Sequence, residues 1–127
     1  MAEIAVPARI APTFADLEAQ VWVTSDAPLL DLCRLRLAQL MGRELIPRHA
    51  PADKVAALRS WPTSAVFTDA EKALLDFVEC YAIDAQSVTD AHTDRLHQHF
   101  DEPALAALTT GIAFFDAVVR TVNVQES

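Results

Sequence analysis

Side chains able to do chemistry cluster between positions 31 and 49: Asp31, Arg34, Arg36, Arg43, Glu44, Arg48 and His49. Asp31 and Arg34 are i, i+3 neighbours on a helical pattern and can pair. If the carboxylate points into a pocket with a basic rim, desolvation and nearby cations compete to set its pKa. Such a group can move a proton, while an arginine holds substrate charge. The alternative is a solvated helix face stitched by ion pairs, which contribute little. His92, His97 and His99 form a second cluster, but only His92 and His99 share a helical face. With Asp90, Asp94 and Asp101 interleaved, they read as a polar outer face, and no metal is expected. Cys33 and Cys80 have no C-x-x-C around them and read as buried free thiols. Glycine occurs only twice, at Gly42 and Gly111, which excludes the glycine-rich phosphate loops of dinucleotide and Walker-type sites. No cofactor is implied.

The elements that must position these groups are helical. Residues 1–12, with Pro7 and Pro12, read as an extended arm, and 13–127 as a single domain. Thr13 precedes a short amphipathic helix carrying Phe14, Leu17, Val21 and Trp22. Ser25 or Asp26 can cap a helix over 27–43, with Leu30, Cys33, Leu37, Leu40 and Met41 on one face. Pro47 and Pro51 break the pattern before a short helix near 52–60, which ends at Trp61-Pro62. Trp61, lying between helices, is a candidate substrate contact, whereas the other aromatics sit at core-compatible positions. Thr68 and Glu71 make a capping box that opens a helix over 69–84. Thr89 can cap a helix carrying Leu96 and Phe100, and Asp101-Glu102-Pro103 opens the longest helix, 102–122. Nothing alternates long enough to be a strand, so the expected class is all-α with six helices.

Composition narrows the partners. The 127 residues are 52% hydrophobic with a formal net charge of −8. That balance disfavours nucleic acid and anionic lipid. The sequence shows neither an apolar run of the roughly 18 residues a membrane span needs nor a signal-peptide pattern at its start. The expectation is a soluble cytoplasmic protein.

Three stretches resemble the carboxymuconolactone decarboxylase and alkylhydroperoxidase D-like superfamily. Asp31-Leu-Cys-Arg-Leu-Arg-Leu-Ala-Gln-Leu-Met-Gly42 resembles the family helix E-L-x-R-L-R-x-A-x-x-N-G. Phe67-Thr-Asp-Ala-Glu-Lys-Ala-Leu-Leu75 is similar to F-[ST]-x-x-E-[RK]-A-[LA]-L, and Phe115 to Asn123 to F-x-x-x-x-R-x-x-N. The resemblance implies a six-helix alkylhydroperoxidase D-like domain. It also implies a homo-oligomer, a trimer or hexamer, because relatives bury their apolar last helix between subunits. Peroxidase members follow the glycine with C-x-x-C and a histidine; here the cysteine positions hold Arg43 and Ile46. Asp31 takes the place of the family's proton-handling glutamate, one methylene shorter. Gly42-Arg43-Glu44 and then His49 resemble the decarboxylase G-R-E stretch and its histidine, one residue short.

A thiolate with a resolving partner is therefore missing from the motif, and redox chemistry reads as lost. The leading expectation is acid–base chemistry on a small organic substrate: decarboxylation, isomerisation or cyclisation. Asp31, His49 and Arg43 would be catalytic, and Arg34 and Trp61 would bind substrate. A catalytically inactive ligand-binding or assembly homologue is the second reading. A thiol peroxidase using Cys33 and Cys80 is the third.

Overall fold

A computed structural model describes residues 11–126, with side chains described from 14 to 122. The described residues form six α-helices and two 3-10 segments, with no strand, so the protein is all-α. The helices are α1 (Ala11–Thr24), α2 (Ala27–Leu40), α3 (Ala52–Ala57), α4 (Asp69–Ile83), α5 (Asp90–His97) and α6 (Glu102–Glu126). Short 3-10 segments cover Leu58–Thr63 and Ala85–Ser87.

The starts of these helices follow local chemistry. Pro12, Pro28 and Pro103 each stand second in α1, α2 and α6, where a backbone N–H has no helical partner to lose. Of the two candidate caps for α2, Asp26 is the one used, accepting from the Leu29 N–H at 3.2 Å. Ser25 instead donates to the Ala107 carbonyl of α6. The Thr68–Glu71 capping box is present in both directions. His92 completes a similar box with Thr89 at the start of α5.

Two boundaries differ from the sequence expectation. Residues 11 and 12 belong to α1, so an arm ending at 12 is too long; residues 1–10 lie outside the described residues. Helix α2 stops at Leu40, three residues short of 43. Gly42, at φ 75°, turns left-handed, and the Gly42 and Arg43 N–H groups reach back to the Gln39 and Ala38 carbonyls. That pair of bonds is a Schellman stop, which costs a residue with a Cβ strain at the glycine position.

Helix α2 is the axle of the molecule. Leu30, Cys33 and Leu37 on one side join Leu74 and Val78 of α4 and Leu108, Ile112 and Phe115 of α6 in the larger core. Leu32, Leu35 and Ala38 on the other side pack with Leu45, Leu58, Trp61, Phe67 and Leu75. Every residue from Leu29 to Leu35 is buried, so this helix has almost no solvent face. Close approach between α2 and α6 is made possible by Gly111. A Cβ there would stand 2.8 Å from a Leu30 methyl.

By length and composition α6 could also cross a bilayer, with mean hydropathy 1.5 over its most apolar stretch. This corrects the reading that no segment approaches span length. Leu105, Leu108, Ile112, Phe115 and Val119 are buried within this fold, which is what makes the helix apolar.

Gly42→Ala should cost about 1–2 kcal/mol, because open space surrounds the site and only the left-handed backbone objects. Urea denaturation checks this, and Gly42→Asn should recover part of the loss.

Candidate functional site

Because α2 is enclosed from Leu29 to Leu35, the polar residues of that stretch have no water to turn to. Asp31 is 0% exposed and Arg34 3%. The Arg34 Nε donates to Asp31 Oδ1 at 2.8 Å, and its terminal NH2 group donates to the Ile46 carbonyl at 2.6 Å. The other Asp31 oxygen, Oδ2, accepts three successive backbone N–H groups, from Arg48 at 2.7 Å, His49 at 2.7 Å and Ala50 at 2.9 Å. Residues 43–50 carry no helix, so their backbone groups lack the partners that a helix would supply. The carboxylate and the guanidinium supply them.

This arrangement decides the charge of Asp31. Burial pushes its pKa up, but the His49 and Ala50 N–H groups, the Arg34 guanidinium and the Arg48 N–H together outweigh it. The net shift is downward from 3.8, so the buried group is a carboxylate at neutral pH. With both oxygens occupied by four donors and no exposure, it is not poised to exchange a proton with a substrate.

Several expected roles change accordingly. Asp31, expected to move a proton, is placed as a clamp that holds the 46–50 loop. Arg34 does not lie on a solvated face; it is enclosed with Asp31. Trp61, expected between helices as a substrate contact, is buried in the smaller core, and its indole N–H donates to Glu79 Oε2 at 2.7 Å. His49 meets Asp31 only through its backbone N–H. Its exposed imidazole lies edge-on to Trp22, ring centroids 4.7 Å apart. Arg43 is half-buried at the start of the loop. Of the five candidates, Asp31 and Arg34 are joined through their side chains, and His49 joins them through its backbone.

Residues not singled out as functional from the sequence matter more than expected. Glu79 Oε2 also accepts from Arg36 Nε at 2.7 Å, and so joins α2, α4 and the 58–63 segment. Arg48 pairs with Glu18 of α1 at 2.7 Å, adding a second tie to the loop. Asp116 is buried and bonds Arg120 at 2.9 Å, while Arg120 also donates to the Ala82 carbonyl at the end of α4. The last pair, at i, i+4, was open to sequence reading; the 43-residue reach from Arg36 to Glu79 was not.

The thiols stand apart from this site chemically. Cys33 is buried, and desolvation together with the Asp31 charge pushes its pKa well above the ordinary value, so it stays protonated. Cys80 is half-buried, 3.0 Å from the Ser87 hydroxyl, and both cysteines are free. Among the described residues no three His, Cys, Asp or Glu side chains form a group that could hold a metal.

Fold and site together define an all-α protein whose central helix carries a sealed acid–base pair under a loop. No family model matches the chain. Over 81 residues it is 37% identical to the uncharacterized protein YnjA of Escherichia coli (strain K12). The match covers 64% of this chain and 44% of that protein, so the chain spans less than half of its relative's length.

Removing the carboxylate should strand the buried guanidinium. Asp31→Ala is expected to cost about 3–5 kcal/mol in urea denaturation at pH 7. Because the folded pKa is depressed, this contribution is complete above pH 3.8 and is lost as pH falls through the lower folded value. The stability gap between wild type and Asp31→Asn should therefore narrow as pH falls below about 4. A gap that stays constant with pH would show that the charge of Asp31 is not what holds the loop.

Proposed function

We propose that this chain is a redox-inactive member of the carboxymuconolactone decarboxylase and alkylhydroperoxidase D-like superfamily. In this reading it works as a non-catalytic binding or assembly protein built as a homo-oligomer. The observation that carries the reading is the saturation of Asp31. The position that resembles the family's proton-handling glutamate is committed to four hydrogen bonds inside the protein. The loop that replaces the C-x-x-C segment holds Arg43 and Ile46 at the cysteine positions, and the protonated Cys33 offers no substitute thiolate. The acid–base reading keeps one side chain, His49, whose exposed ring packs edge-on against Trp22.

Surface composition supports assembly. Leu17, Val23 and Ile83 are exposed, Val23 by 81%, which is more than isolated surface aliphatics need. The outward face of α6 adds Ala106, Ala113 and Ala117, all exposed. Relatives in the superfamily cover their last helix with a neighbouring subunit, and the same arrangement fits here.

Peroxide consumption coupled to a dithiol reductant should be absent in the wild type and unchanged in the Cys33→Ser/Cys80→Ser double variant. Light scattering should return a multiple of 13.9 kDa, with three or six copies expected. Should a decarboxylase or isomerase activity be found that drops by about 10²–10⁴ in Asp31→Asn while the variant remains folded, the non-catalytic reading fails.

A further inference from the structure

A concavity that includes neither Asp31 nor Arg34 lies between the starts of α2 and α4, helix α3 and the turn that carries Phe100. Its volume is about 400 Å³, within the range of small-molecule pockets. Leu29, Leu32, Pro28, Pro51 and Phe100 make its apolar walls. Three charged side chains line it as well: Asp26, Lys54 and Glu71.

Two of those charges cancel. Lys54 Nζ lies 2.6 Å from Glu71 Oε2, and the other Glu71 oxygen accepts the Thr68 N–H at 2.8 Å in the capping box. The pair is largely shielded, with the Glu71 side chain 13% exposed. Asp26 is different. Its Oδ1 takes only the 3.2 Å bond from the Leu29 N–H that caps α2, and it is exposed at the rim. The charge left for a ligand is thus one carboxylate above an apolar floor. The formal charge of −8 over the whole chain further concentrates cations near its surface.

We propose that this groove binds a small organic cation, a primary ammonium on a compact apolar or aromatic body. The ammonium meets the Asp26 carboxylate, and the body lies on Leu29, Leu32 and Phe100. A carboxylate-bearing ligand of the same shape is disfavoured. It would have to take Lys54 from Glu71 and would face Asp26 as a like charge. The proposal deepens the binding reading above and rests on it in one respect, that the ligand is held without turnover.

The test is a titration of ¹⁵N-labelled full-length protein with 2-phenylethylammonium, and separately with 3-phenylpropionate, followed by amide shifts. The ammonium should shift the Leu29 and Glu71 amides saturably, and 3-phenylpropionate should bind at least about tenfold more weakly. Asp26→Asn keeps a good helix cap and the fold, verified by circular dichroism, and should weaken the ammonium by about tenfold. Equal binding of both probes, no saturable shift at these amides, or an unchanged affinity in Asp26→Asn would overturn the site. Those failures leave the non-catalytic reading standing. Conversely, chemical conversion of the bound amine would sink that reading and leave the site in place.

Discussion

The fold depends on one buried carboxylate. Asp31 sits on a helix enclosed on all sides, where an unpaired charge would cost several kcal/mol. It is tolerated because four donors converge on it, one from Arg34 and three from consecutive backbone amides. The benefit runs both ways. A loop without secondary structure must satisfy its backbone groups by other means, and a fixed carboxylate that accepts from three amides in a row does so. Arg34 completes the exchange by donating to the Ile46 carbonyl, so one i, i+3 pair sets the path of a whole connection.

Around that clamp the structure is organised by burial. Helix α2 separates two apolar clusters and touches both, which is why its polar residues are enclosed and why its apolar residues fall on more than one face. Polar ties then set the relation of the outer elements to it. Arg36 and Trp61 share Glu79, Arg48 reaches Glu18, and Arg120 joins Asp116 to the end of α4. Most of these are half-buried, where an ion pair is worth more than at the open surface and also fixes geometry. The apolar packing supplies most of the driving force, and the polar ties select one arrangement of it.

The same facts bear on function. A carboxylate preorganised by a helix could serve as an acid or base if one oxygen faced a substrate. Here the loop occupies that direction. Three of its backbone amides occupy one carboxylate oxygen, and the histidine that the loop carries turns its ring toward Trp22. The groove lined by Asp26 shares α2 with the clamp but includes neither Asp31 nor Arg34 in its walls.

Local chemistry was legible in the sequence. The capping box at Thr68 and Glu71, the proline starts of α2 and α6, and the apolar period of α4 and α6 each depend on residues within a turn or two of one another. The pairing of Asp31 with Arg34 was legible for the same reason. What only the tertiary structure decided is which way those groups face. Arg34 and Asp31 look like a solvated pair until their turn of α2 is seen to be covered on every side. Trp61 looks like a free aromatic until α4 brings Glu79 to its indole. Helical periodicity reports which residues share a face, but it is silent on how many faces the rest of the chain will cover. The amides at 48–50 carry no side-chain signature at all, so their convergence on one carboxylate arises from the path of the loop, which packing sets.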